Sequence, residues 1–172
     1  MLTLLLAAAC LSSPAPQAEF VAVRCGEFWP EPSAEVQSNV VLLIREGKIQ
    51  QVLAAGEQLP PVDQVHDLSE AFVMPGWIDC HVHLTGELSR KSRLEYVTLS
   101  EAAVTLRTVM HARRTVEAGF TTVRDLGADT GAIFAVRDSI QRGEIPGPRI
   151  LAAGSAVTPS GGHGDPTHGY RE

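Results

Sequence analysis

Hydrophobic positions along the chain follow two different rhythms. From residue 20 to 73 the apolar runs are short and broken by turn residues. "FVAVRC" reads as a short strand and "EFWPEPSAE" as a proline-rich turn. "NVVLLIREGKIQQVL" reads as two strands around Glu46-Gly47, a hairpin pattern. Gly47 can take the positive φ that such a turn needs. "GEQLPPVDQ" is a loop, because adjacent prolines do not sit in a central strand. "HDLSEAFVM" returns the chain to a strand. These elements predict part of a small sheet that packs on a further layer.

After Met74 the rhythm changes. "GWIDCHVHL" is a continuous apolar run, the pattern of a parallel strand buried on both faces. Thr98 and Glu101 have capping-box spacing, which starts a helix with Ala102, Leu106, Val109, Met110 and Val116 on its apolar side. Gly119 suits its C-terminal end. "FTTVRDL" is the next strand. Asp129 or Thr130 can cap a second helix, with Ile133, Phe134, Val136 and Ile140 facing inward and Gly143 ending it. "IPGP" connects to a third strand, "RILAAGSAV", and then to the loop "TPSGGHGDPTHGYRE". Strand–helix–strand–helix–strand implies right-handed parallel β/α units. They open either a doubly wound sheet or a (β/α)8 barrel. A barrel takes about 250 residues, so residues 74–172 would hold its first three units.

Composition narrows the function classes. The 172 residues are 44% apolar and 20% charged, which suits a folded core and argues against disorder. Net charge is −6 and no Lys/Arg cluster occurs, so nucleic acid is excluded as a partner. The three cysteines are far apart and form no zinc knuckle or disulfide framework. Residues 2–11 are almost wholly apolar, too few for a bilayer span of roughly 20 residues and suited to the core of an export signal. Residues 1–18 therefore read as a signal peptide cleaved after Ala18, although Pro16 fits poorly at the −3 position. Alternatively, "LAAAC" makes Cys10 a lipidated N-terminus, the one route to a membrane. Either route exports the protein; the competing reading of the segment is a buried first strand or helix.

The candidate chemistry begins at His81 and His83. Residues i and i+2 of a strand face the same way, roughly 6–7 Å apart at Cα. Their imidazoles can converge on one cation at about 2.0–2.1 Å. Asp79 lies one pleat earlier on that side, while Cys80 and Val82 face the other way, Cys80 as packing. A bare His-x-His reads first as two core histidines bonded to carbonyls. This pair ends a buried strand and is followed by polar "TGELSRKSR", at the strand end where parallel β/α folds place their sites. "RKSR" itself reads as a solvated patch.

With these residues in view, "VMPGWIDCHVHL" closely resembles the start of the amidohydrolase superfamily, in which a Pro-Gly-hydrophobic-Ile-Asp segment leads into His-x-His on the first barrel strand. "NVVLLIREGKIQQV" and "LSEAFVMPG" resemble its β-sandwich domain. "EAGFTTVRDLG" and "RGEIPGPRILAAG" resemble the branch related to imidazolonepropionase and secreted prolidase-like dipeptidases, which "GGHGD" fits best on the dipeptidase side. The likeness runs over about residues 21–165. It implies an α/β fold: a partial β-sandwich over residues 19–73, then the first three units of a (β/α)8 TIM-type barrel over 74–172. It implies His81 and His83 as ligands of a divalent metal, zinc, in a centre of one or two ions, with Asp79 in support. It implies hydrolysis of a C–N bond in a small-molecule or dipeptide substrate through a metal-activated water.

The family completes its centre with a lysine, two further histidines and an aspartate on later strands. His66, His111, His163 and His168 do not occupy such positions and are not assigned to it. The catalytic base therefore has no position here, and the chain alone is expected to be inactive or nearly so. His163 and Asp165 in "SGGHGD" are candidates for substrate contact, against a plain flexible loop. Arg124-Asp125 reads as a buried ion pair or a site wall, chiefly structural. A competing reading is a non-catalytic binding protein, or pseudoenzyme, on the same scaffold. A doubly wound nucleotide-binding domain is disfavoured by the absence of a Gly-rich phosphate loop after the first strand. Homo-oligomerisation stays open.

Overall fold

The structure, a computed structural model, describes residues 20–128, 130–162 and 165. The chain divides into two compact units at Pro75/Gly76.

The first unit is one four-stranded sheet. Its strands are β1 (Phe20–Phe28), β2 (Gln37–Arg45), β3 (Lys48–Leu53) and β4 (Gln64–Val73), in the order β3-β2-β1-β4. β1 pairs antiparallel with β2 and parallel with β4. The hairpin stands where the sequence places it: Glu46 and Gly47 both take positive φ, 53° and 69°, the requirement of a two-residue type I′ turn. The inner strand β1 is longer than its apolar run. β1 extends through Gly26 to Phe28, where Val73 O receives the Trp29 N–H at 2.9 Å. Cys25, Phe28, Val40 and Leu42 form the buried cluster, with Val23 and Val73 against it. β4 is mostly exposed, including the side chains of Val65, Leu68 and Phe72.

The second unit is a three-stranded parallel sheet with helices: β5 (Trp77–Val82), α1 (Ser92–Thr98), α2 (Glu101–Glu117), β6 (Phe120–Asp125), α3 (Thr130–Gln141) and β7 (Arg149–Ala152). The strands lie in chain order, β5-β6-β7. One core cluster joins Val123 and Ile150 of the sheet to Ala112 of α2 and Ile133 and Val136 of α3, with Leu84 and Ala128 from the loops. Both helices therefore cover the same face. No reversal of strand order, the mark of a doubly wound sheet, occurs among the described residues.

Several local expectations are corrected. Ser100, not Thr98, caps α2: its Oγ accepts the Ala103 N–H at 3.3 Å. Thr98 instead ends α1 and donates to Leu94 O at 2.9 Å. The sequence pattern did not reveal α1; it is joined to α2 by a bidentate Arg107–Glu95 pair at 2.8 and 3.0 Å. That guanidinium holds the Glu95 carboxyl below its ordinary range. The buried stripe of α2 runs through Thr108 and Ala112, so Leu106 and Met110 lie on the exposed side. Thr108 is buried without penalty because its hydroxyl donates back to Val104 O at 2.9 Å. The inward side of α3 is as expected, and Gly119 and Gly143 take positive φ at the ends of α2 and α3. Asp129 lies outside the described residues.

β5 is not buried on both faces. Trp77, Ile78 and Cys80 are exposed, since no strand pairs with its far edge among the described residues and the helix layer covers only its carboxyl end. Cys80 is thus not packed against a helix. The β5–β6 pairing also slips, between Trp77 and Ile78 and again between Asp79 and Val82. The strict alternation of a regular strand is thus interrupted within the stretch that carries His81.

These burials separate two residues that the apolar pattern treats alike. Ile133→Ala empties a fully buried position and should cost about 2–5 kcal/mol. Leu106→Ala, at 72% exposure in this chain, should change stability by less than about 0.5 kcal/mol. Urea unfolding midpoints of the two variants check the contrast; equal losses would place the α2 stripe where the sequence pattern put it.

Candidate metal centre

The carboxyl ends of β5, β6 and β7 lie side by side, and the loops that leave them are tied edge to edge. Leu126 N–H donates to Val82 O at 3.3 Å, Ala153 N–H to Asp125 O at 2.9 Å, and Ala128 N–H to Gly154 O at 2.9 Å. The candidate histidines stand at this edge. His81 is the penultimate residue of β5, and His83 follows its last residue. Their ring centroids are 5.3 Å apart, in an edge-to-face arrangement of 72°. Two imidazoles at that separation can share one cation.

The surroundings of His83 are well defined. Its Nδ1 lies 2.7 Å from Gly127 O. A carbonyl oxygen can only accept, so Nδ1 donates and Nε2 retains its lone pair. This is the arrangement of metal-binding histidines, whose second nitrogen is held by a carbonyl or carboxylate. The Gly127 backbone lies flat beside the ring: a β-carbon there would sit 3.6 Å from His83 Cε1 and 3.3 Å from Ala156 Cβ. The residues present therefore fit an imidazole-bound divalent ion. Among the described residues, no group of three or more His, Cys, Asp or Glu side chains is placed to hold a metal. For a metal, the pair alone would be a partial donor set.

Asp79 folds back on its own strand, where Oδ1 accepts the His81 N–H at 3.0 Å. Asp165 is buried, and its Oδ2 accepts the Gly161 N–H at 2.7 Å while its N–H donates to Gly162 O at 3.0 Å. The carboxylate thus closes a turn of its own loop. His163, the other candidate for substrate contact, lies outside the described residues.

Arg124 and Asp125 do not pair. Arg124 Nε donates to Cys80 O at 2.8 Å, stitching β6 to β5. Asp125 is fully buried, and its two oxygens accept Leu84 N–H at 2.7 Å and Gly127 N–H at 3.2 Å. His111, which the sequence left without a role, holds Leu84 from the other side: its Nδ1 lies 2.8 Å from Leu84 O. The Asp-x-Gly spacing of "DLG" is an Asx-turn signal that could have indicated the Gly127 bond, although the sequence reading did not use it. No local signal pointed to the bonds with Leu84.

Known proteins resemble the chain in sequence and in fold. Over 57 residues the chain is 37% identical to an imidazolonepropionase of Salmonella arizonae, a match covering 33% of this chain and 14% of that one. The fold superposes on a Xaa-Pro dipeptidase with methionine bound in its active site, with a TM-score of 0.80 and 30% identity, covering 88% of this chain and 37% of the other. It is also similar to a prolidase in complex with N-methylphosphonate-L-proline, with a TM-score of 0.69 and 26% identity, over 84% of this chain and 34% of that one. The chain thus spans well under half the length of these relatives. A sequence profile described as the amidohydrolase family matches residues 72–169, more than half of the chain and including both histidines, and the chain accordingly belongs to the amidohydrolase family.

Proposed function

We propose that this chain forms the N-terminal part of an exported, metal-dependent amidohydrolase that cleaves a C–N bond in a small substrate, with dipeptides as the preferred class. The observation that carries the reading is the His81–His83 pair at the carboxyl end of β5, with Nδ1 of His83 donating to Gly127 O at 2.7 Å. The names of the similar structures, a Xaa-Pro dipeptidase and a prolidase, favour dipeptides, and among them those ending in proline. Export rests on the apolar segment at residues 2–11. Among the described residues, no helix is long and apolar enough to cross a membrane.

The finer architecture follows from the same elements. Three parallel strands in chain order with both helices on one face are the opening of a (β/α)8 barrel, with the face bearing Arg124 turned to its interior. Later strands would lie along the free edge of β7. The exposed Leu68 of β4 would be covered by the second layer of a β-sandwich.

In the reaction, His81 and His83 would hold a divalent ion, zinc by the preference of imidazole donors. The chemistry supplied by such an ion would be activation of a water and polarisation of the scissile carbonyl. The chain's own residues orient that chemistry. Gly127 O fixes the His83 ring, Asp79 restrains the His81 backbone, and the loops after β6 and β7 form the adjoining wall. The proton-transferring carboxylate would come from a later strand.

Two outcomes are expected of the full-length protein. As purified it contains zinc or another divalent ion by elemental analysis, and His81→Ala or His83→Ala lowers both metal content and hydrolysis by more than about 100-fold, beyond the usual effect of an outer-shell change. Assayed side by side, Xaa-Pro dipeptides turn over faster than dipeptides lacking proline and faster than cyclic amides. A metal-free, inactive wild type would instead favour a binding protein on the same scaffold, and faster turnover of cyclic amides would overturn the dipeptide assignment.

A further inference from the structure

A histidine binds a metal through the ring nitrogen that carries no proton, so its tautomer decides whether it can act. In water the neutral side chain favours the form protonated at Nε2. For His83 the reverse is required by the bond from Nδ1 to Gly127 O at 2.7 Å. That bond exists only while the loop after β6 keeps its carbonyl beside the ring.

One group spans both ends of the contact. The Asp125 carboxylate accepts Leu84 N–H, one residue beyond His83, and Gly127 N–H, on the residue that supplies the acceptor. It is fully buried, so water cannot substitute for either bond. We propose that Asp125 is a positioning residue that sets the tautomer of His83, keeping Nδ1 protonated and Nε2 free by locking the β5 and β6 loops in register. The functional consequence rests on the reading of His83 as a metal ligand; the tautomer does not. His111 holds the same residue, Leu84, at its carbonyl, but has no bond to the residue that faces the ring, and so is expected to steady the loop without choosing the tautomer.

An asparagine at position 125 offers a single accepting oxygen and presents an amide N–H₂ to the second donor. Asp125→Asn must therefore release one of the two loops. The test uses full-length protein labelled with 15N-histidine and stripped of metal by chelation, read by long-range 1H–15N correlation. The expected result is Nδ1-protonated His83 in the wild type, a shift toward the Nε2-protonated form in Asp125→Asn, and no shift in His111→Gln even where stability falls. Zinc affinity, measured by chelator competition, should fall about 10–100-fold in Asp125→Asn. Nε2-protonated His83 in the wild type overturns the proposal, and this arm needs no variant to fold. So does a folded Asp125→Asn that keeps the wild-type tautomer, or an equal shift in His111→Gln. A wild type that takes up no zinc would defeat the metal reading, while the tautomer comparison would still decide the role of Asp125.

Discussion

A carboxylate taken wholly out of water must be matched by donors, and Asp125 finds two backbone N–H groups on different loops. The match makes the loop after β5 and the loop after β6 one piece. Leu84 is gripped at its N–H by Asp125 and at its carbonyl by His111, and its side chain enters the core beside Val123 and Ile133. The residue before it, His83, therefore has little freedom of position, and Gly127 O then fixes its ring. The placement of the candidate His81–His83 pair thus depends on a buried carboxylate that has no ion-pair partner among the described residues.

The sheet supplies the other condition. Parallel strands laid in chain order bring every carboxyl end to one edge, so loops that are distant in sequence become neighbours. Helices on a single face leave the opposite face for polar side chains such as Arg124. The slip in β5 between Asp79 and Val82 takes in His81 itself, whose N–H donates to Asp79 Oδ1. Irregularities of this kind re-aim side chains next to sites. Here the two rings come to lie edge to face at 5.3 Å.

Much of the scaffold was legible without coordinates because its signals are short-range. The Glu46-Gly47 turn, the two glycine-ended helices and the inward side of α3 each depend on residues within a few positions of one another. Signals of similar range also misled. Thr98 has the right spacing for a cap, yet Ser100 lies closer to the helix and takes the role. Leu106 and Met110 have helical spacing, but α2 docks through the smaller Thr108 and Ala112, which let it approach the core closely. The exposure of Cys80 likewise reflects which neighbours β5 has, not its own apolar character.

The sequence by itself determined the strand–helix alternation, the His81–His83 spacing and the family to which the chain belongs. Each is carried by contiguous residues. The tertiary structure alone decided how that pair is held. The bonds from Asp125 to Leu84, from His111 to Leu84 and from His83 to Gly127 join residues 41, 27 and 44 positions apart. They depend on how β5 and β6 lie beside each other and on where α2 rests against them. No local pattern encodes that placement, because strand register and helix docking are set by the packing of the whole unit.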